Sequence, residues 1–277
     1  MDWVKAIEYA ELVAQAYRIP PGNLTNSAGI RLTAGGRGYT VITTIYASDL
    51  ATDLNPQRGL DLVSMGLVCQ ADETGEVAIA LRGTEGMPEW IHDAEYFLVP
   101  CPFLAEAGWT EDGFTDIYVT LRTTVAQGSP TLVEALDRLD FPRPTTSLTI
   151  CGHSLGGALA TLLALDVAAH TRFADPTVYT YASPRTGNPT FASTYKRLVK
   201  NTYRIANRID LVPNLPVPPV FEHVEANYEL SSVQFLPPRL LVKLELVCGH
   251  SLNSYLYLMS LLAGGQVQPL EASCSPW

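Results

Sequence analysis

The sequence predicts an α/β fold, with a mostly parallel central sheet, helices on both faces and a lid-like segment beside an early loop. Three observations carry that expectation. Between residues 147 and 210, short apolar runs rich in strand formers alternate with helix-length segments, the pattern of crossover connections. The segment LGGALATLLALDVAAH is apolar almost all round, so a helix there must be covered on every side. The chain has 277 residues, 47% hydrophobic and 17% charged, which suits a globular protein that buries roughly three quarters of its unfolded surface. No repeat, charge block or low-complexity linker divides it, and one domain over residues 1–277 is expected.

The elements follow in order. MDWVKAIEYAELVAQAYR places Trp3, Ile7, Ala10, Ala14 and Tyr17 on one helical face, a docked N-terminal helix. Asp2, Lys5, Glu8 and Glu11 interrupt any apolar core there, so the segment is not a signal peptide. The chain is expected to be cytoplasmic if complete and secreted if a leader was trimmed. YTVITTIYA (39–47) reads as a strand, and VSMGLVCQA (63–71) and EVAIALRG (76–83) flank the hairpin signal Asp72-Glu73-Thr74-Gly75. Residues 115–127 and 130–140 read as helices, the second ending before Pro142. SLTICG (147–152) reads as a strand and 155–170 as the buried helix. TVYTYASP, PTFASTYKRLV and TYRIANRID follow as strand, helix and strand. VPNLPVPPV is a proline-rich loop and VEANYELSS an edge strand. RLLVKLELV (239–247) alternates in a way that fits a strand or an apolar flap.

Charge and cysteine content narrow the function classes. A net charge of −10 argues against nucleic acid, whose phosphates require Lys/Arg stripes, and against simple docking on anionic membranes. Neutral substrates or neutral lipid interfaces suit the chain better. No run of 18 apolar residues is present, so no membrane-spanning helix is expected. The five cysteines (69, 101, 151, 248, 274) have no metal-site spacing; they allow one or two bridges and leave at least one thiol unpaired within the chain.

The pentapeptide Cys-Gly-His-Ser-Leu occurs twice, at 151–155 and 248–252. In the first copy Gly152-His153-Ser154-Leu155-Gly156 fits G-x-S-x-G between a predicted strand and a predicted helix, the setting of a nucleophile elbow. A serine on so sharp a turn has strained backbone angles and needs small neighbours, which Gly152 and Gly156 supply. The bland alternative is a glycine-rich helix start with a serine cap. His153 is adjacent to Ser154 on the chain and reads as a packed structural residue. In the second copy Asn253 stands where the elbow needs glycine, so Ser251 reads as a helix cap or buried hydroxyl. His250, 96 residues after Ser154, stands where the chain order Ser, Asp/Glu, His puts a general base. His92 and His170 precede any suitable acid, and His223 is the serious rival. Asp210 closes the strand TYRIANRID, which puts a carboxylate at the strand's carboxyl end; Asp175, ahead of a strand, lies at the wrong edge. The alternative for Asp210 is an ordinary strand-ending turn residue.

EVAIALRGTEG ends a strand at Arg82-Gly83-Thr84, where an early-loop N–H can join that of Leu155, the residue after the nucleophile, in an oxyanion hole. Between Thr84 and Gly113 the chain is long and carries apolar side chains, with Met87, Trp90 and Ile91 the candidates for a lid or substrate wall; an ordinary packed crossover is the alternative.

These segments, in this order, resemble the fungal-lipase-like family, the class 3 lipases, over roughly residues 60–260. The similarity rests on LRGTEGMPEW with Asp93, DGFTDIY, ICGHSLGGALA, YASPRTGNPTFA, RIANRIDLVPNLP, FEHV and GHSLNSYL. The resemblance implies an α/β-hydrolase fold and hydrolysis of carboxylic esters, commonly acylglycerols; two-step acyl transfer on such a site needs no metal or cofactor. It implies Ser154 as nucleophile, Asp210 as acid, His250 as base, and Thr84 and Leu155 as oxyanion donors, with His223 a histidine other than the base. Two positions depart from the family. Glu111-Asp112 stands where a histidine commonly precedes the Gly113-Phe114 pair, and Tyr181-Ala182 where Phe-Gly is common. Other functions left open are a feruloyl, aryl or short-chain carboxylesterase on the same scaffold, and a catalytically silent lipase-like interaction module.

Overall fold

A computed structural model describes residues 1–48, 62–84, 96–231, 248–271 and 274. The expected lid residues Met87, Trp90 and Ile91, with His92, Asp93 and the alternating run 239–247, lie outside the described residues.

Eight strands form one sheet. In chain order they are β1 (Arg31–Ala34), β2 (Arg37–Ser48), β3 (Leu62–Ala71), β4 (Val77–Leu81), β7 (Leu148–His153), β8 (Thr177–Tyr181), β9 (Asn201–Asn207) and β10 (Asn227–Leu230), and they lie in that order across the sheet. The pairs from β1 to β4 are antiparallel and those from β4 to β10 parallel. A separate hairpin joins β5 (Leu98–Pro100) to β6 (Trp109–Glu111).

Helices cover both faces. On one lie α1 (Trp3–Tyr17) and α6 (Leu252–Ala263); on the other lie α2 (Asp112–Tyr118), α3 (Leu132–Leu136), α4 (Leu155–His170) and α5 (Pro189–Leu198). The helix α4 has the span the sequence predicts and is buried continuously from Leu155 to Val167, as an all-round apolar helix between a sheet and other helices must be. The parallel strands β7, β8 and β9 are joined by α4 and α5, so their carboxyl ends line up at one edge, with Gly152 level with Leu81 and His153 level with Tyr181. Loops leaving that edge are where a ligand site forms in an open α/β sheet. Among the described residues no helix is long and apolar enough to cross a membrane.

Three local expectations differ. The helix expected at 115–127 runs only from Asp112 to Tyr118, capped by the Glu111 side chain on the Phe114 N–H. It stops because the β-branched run after Val119 favours extended backbone, and Arg122 instead bridges Tyr46 in the sheet. The helix expected at 130–140 is confined to Leu132–Leu136. In α1 the buried face centres on Ala6, Tyr9, Ala10, Val13 and Ala16, while Trp3, Ile7, Ala14 and Tyr17 flank it half-buried. The small alanines let the helix approach the sheet closely, and the Tyr9 hydroxyl reaches Glu76 Oε1 at 2.5 Å. Arg37 completes this buried polar group by pairing with Glu8 at 2.7 Å, so burial of charge here is compensated.

Candidate active site

The strand β7 ends at His153, and α4 opens at Leu155. Between them Ser154 has φ 59° and ψ −124°, a strained conformation for a non-glycine residue. Its backbone is held there by Ser154 N–H donating to the Tyr181 carbonyl at 2.9 Å. The two flanking glycines are needed for space: a Cβ on Gly152 would sit 2.0 Å from the Gly156 carbonyl oxygen, and one on Gly156 would sit 2.3 Å from that of Leu81. The G-x-S-x-G reading therefore has a steric basis in this chain.

Around Ser154 the structure brings together the residues that the sequence singles out from four distant segments. His250 Nε2 lies 2.7 Å from Ser154 Oγ, and His250 Nδ1 lies 2.9 Å from Asp210 Oδ2. All three are buried. Asp210 follows the end of β9, and its other oxygen accepts from the Val212 N–H at 3.0 Å. The loop carrying His250 is tied to β9 by Asn207 Nδ2 donating to the Gly249 carbonyl at 3.0 Å. Thr84 faces the same cavity, and the preceding Gly83 is so close that a Cβ there would come within 3.1 Å of Ser154 Cβ. As the first residue of α4, Leu155 has an N–H without an intrahelical acceptor, next to the serine and near the positive end of the helix dipole. The cavity has a volume of about 750 Å³.

Residues beyond the sequence expectation complete the arrangement. Tyr255, one turn into α6, donates its hydroxyl to Asp210 Oδ2 at 2.8 Å and accepts from the Asn207 N–H at 2.9 Å. Tyr17, at the end of α1, accepts from the Gly83 N–H at 2.8 Å and bonds His153 Nδ1 at 2.8 Å. His153 Nε2 then donates to the His250 backbone carbonyl at 2.8 Å. This chain of bonds is satisfied by a neutral His153 protonated at Nε2. Burial, with the His250 ring alongside, pushes its pKa well below the usual histidine range. His153 is thus not bonded to the serine, as expected, but it is not remote either, because its ring centroid is 4.9 Å from that of His250. The only signal for Tyr255 and Tyr17 in the sequence is their spacing, four residues beyond Ser251 and at the end of the α1 stripe.

The rivals are placed elsewhere. His223 bonds the Pro213 carbonyl at 2.7 Å, and burial beside Arg204 pushes it down to about 3. His170 pairs with Asp166, and Asp175 accepts from Asn201. Ser251 occupies the N-cap position of α6 but makes no capping bond with its side chain. Cys248, two residues before His250, is disulfide-bonded to Cys274, while Cys69, Cys101 and Cys151 are free and buried.

Comparison with known proteins addresses the family and the fold. A model of the lipase (class 3) family matches residues 78–219. The chain is 31% identical over 173 residues to phospholipase A1-II 1 of Oryza sativa subsp. indica, an alignment covering 55% of this chain and 44% of that protein. It is 30% identical over 168 residues to secreted mono- and diacylglycerol lipase A of Penicillium cyclopium, covering 60% and 52%. The chain spans about half the length of these curated relatives. Its fold is shared with native Rhizomucor miehei lipase in its propeptide complex, at a TM-score of 0.61 and 25% identity, over 83% of this chain and 68% of that one. A mutant form of MDLA from Penicillium cyclopium superposes at a TM-score of 0.63 and 24% identity, over 82% and 78%. The central sheet, the elbow between β7 and α4, and a family match over more than half of its residues together show that the chain belongs to the class 3 lipase family, with an α/β-hydrolase fold.

Proposed function

We propose that the chain is a serine carboxylic-ester hydrolase acting on acyl esters of glycerol, with Ser154 the nucleophile, His250 the general base and acid, and Asp210 the carboxylate that orients the histidine. The observation that carries this reading is a single imidazole bonded at both nitrogens, 2.7 Å from Ser154 Oγ and 2.9 Å from Asp210, beside a cavity.

The reaction runs in two steps. His250 Nε2 takes the proton of Ser154 as Oγ attacks the ester carbonyl, and Asp210 fixes the tautomer and stabilises the imidazolium. The N–H groups of Thr84 and Leu155 receive the oxyanion, each such donor being worth about 10² to 10³ in turnover. His250 returns the proton to the leaving alcohol, and water then hydrolyses the acyl-enzyme by the same route. Glycerolipid esters are favoured because the relatives are named as acylglycerol lipases and phospholipases A1. Exposed apolar residues that follow Asp210, among them Leu211, Val217 and Val220, suit contact with a lipid interface. One sheet joins elements from residue 31 to residue 230, which supports reading the chain as one catalytic unit.

The test compares the two serines of the repeat. Ser154→Ala is expected to abolish hydrolysis of emulsified triglyceride and of p-nitrophenyl esters, and labelling by a fluorophosphonate; Ser251→Ala is expected to keep most of each. A dead Ser251→Ala with an active Ser154→Ala would overturn the assignment. Absence of labelling at Ser154 in the wild type would favour a silent module.

A further inference from the structure

Asp210 is only 1% exposed, so its carboxylate depends on protein donors in place of water. Val212 N–H donates to Oδ1 at 3.0 Å. Oδ2 accepts twice, from His250 Nδ1 at 2.9 Å and from the Tyr255 hydroxyl at 2.8 Å. The tyrosine and the imidazole therefore share one oxygen.

The direction of the Tyr255 proton is fixed by its own neighbours. A phenolic hydroxyl has a single proton, and Tyr255 already accepts from the Asn207 N–H at 2.9 Å, which leaves that proton for Asp210. Burial and the adjacent Asp210 charge push the hydroxyl well above the usual tyrosine range, so it stays a donor. Asn207, the last residue of β9, also donates from Nδ2 to the Gly249 carbonyl at 3.0 Å. One residue thus backs the tyrosine against the acid and ties down the loop of the base. Of the other titratable side chains nearby, Arg204 of β9 draws the Tyr255 hydroxyl the opposite way. The ring of His153 lies 4.9 Å from that of His250 and 6.1 Å from that of Tyr255.

We propose that Tyr255 is a positioning residue that, by donating to the oxygen His250 also uses, limits how tightly Asp210 holds the imidazolium; the proposal rests on the hydrolase reading above. A carboxylate oxygen that receives a second donor has less charge to offer the first. It still orients the imidazole through Nδ1–H. The imidazolium formed when Nε2 takes the Ser154 proton is then the stronger acid, and passes that proton more readily to the leaving oxygen. Without the tyrosine hydroxyl, the same pair would keep its proton to a higher pH and deliver it less readily.

The test reads the pH profile of kcat/KM for p-nitrophenyl butyrate and methyl butyrate, in wild type, Tyr255→Phe and Asn207→Ala. Active enzyme is counted by fluorophosphonate titration, and folding is followed by thermal unfolding. Tyr255→Phe keeps the ring and removes the shared donor. It is expected to move the acidic limb up by about 0.5 to 1 pH unit. Its loss should fall on kcat more than on KM, by about tenfold for the methyl ester. The p-nitrophenyl ester should lose less, because its leaving oxygen needs no proton. Asn207→Ala removes the tie to Gly249 but keeps the backbone N–H behind Tyr255, so it should lower kcat with the limb in place. A 3-fluorotyrosine installed at position 255, a stronger donor of nearly the same size, should move the limb down, and it decides the matter if Tyr255→Phe does not fold. A limb unmoved by loss or strengthening of the hydroxyl, or an equal loss for the two esters in Tyr255→Phe, overturns the role of Tyr255 while the hydrolase reading stands. If the wild type turns over neither ester and Ser154 is not labelled, both readings fall together.

Discussion

The ring of His153 donates from Nε2 to the backbone carbonyl of His250 across 2.8 Å, so the histidines of the two Cys-Gly-His-Ser-Leu copies are joined in space. A repeat that looks like duplicated chemistry in the sequence is, in the fold, two halves of one hydrogen-bonded assembly. The first copy presents a serine, and its histidine supports the loop of the second.

Tyr17 anchors the other end of this support. Tyr17→Phe keeps the ring but leaves the Gly83 N–H and His153 Nδ1 without the hydroxyl they share. An unsatisfied buried group costs about 1–3 kcal/mol, so chemical denaturation should show a loss of that order. Turnover should fall as well, because Gly83 positions Thr84. A variant with unchanged stability would show that the hydroxyl is dispensable.

Three buried groups make stability depend on pH. Burial holds His153 and His223 neutral in the folded protein, His223 at about 3, whereas in the unfolded chain both protonate below about pH 6.5. Their contribution is therefore present above that pH and is lost as pH falls through it. Glu111 works in the opposite sense. Burial pushes its carboxyl up from 4.5 to about 7, so its contribution is full below the unfolded value and is lost as pH rises toward 7. Between about pH 4.5 and 6.5 these three groups leave the unfolded chain with one extra proton, two from the histidines less one from Glu111, so stability rises by about 1.4 kcal/mol per pH unit. Glu111→Gln removes the opposing group, and urea unfolding at several pH values should show a slope about twice as steep. An unchanged slope would contradict the raised Glu111 value.

The disulfide between Cys248 and Cys274 closes a span of 26 residues that includes His250. Replacing both cysteines by serine should destabilise the protein by about 3.5 kcal/mol, the chain-entropy expectation for a loop of that size. Activity should be lost at a lower temperature than in the wild type, because the loop beside Cys248 carries the histidine. Coincident inactivation curves for the two proteins would refute this.

Ala182 has φ 54°, in the region that favours glycine. The family commonly has glycine there, and the departure seen in the sequence thus acquires a backbone meaning. Ala182→Gly is expected to raise the thermal midpoint slightly, by relief of up to about 1 kcal/mol. Because Ala182 N–H donates to the Ile205 carbonyl at 3.1 Å, the strand pairing is expected to survive the change. A lowered midpoint would show that alanine is accommodated without strain.

Local chemistry explains which parts of this protein are legible in its sequence. The elbow is readable because its steric demand falls on two glycines at fixed offsets, and α4 because an apolar helix has one stable setting. Chain order and the strand end at Asn207 place Asp210 and His250. The bounds of α2 are not readable: a helix pattern over 115–127 competes with a bridge between Arg122 and Tyr46, a contact 76 positions distant that no local window contains. The buried face of α1 is misjudged for a related reason. Bulk suggests Trp3 and Ile7, but the sheet receives the small alanines together with Tyr9, whose hydroxyl has a partner only in the fold. Tyr255 and Tyr17 are likewise ordinary aromatic positions until the loops they brace are in place.

The bridge from Cys248 to Cys274 also defines a path for mechanical load. Tension applied beyond Cys274 passes through the sulfurs to Cys248 and bypasses everything between them, including His250 and the whole of α6. With respect to a pull from that end, the histidine sits in a slack bight of chain. A surface tether attached there would strain the disulfide and the chain before it, and leave the spacing between His250 and Ser154 unloaded.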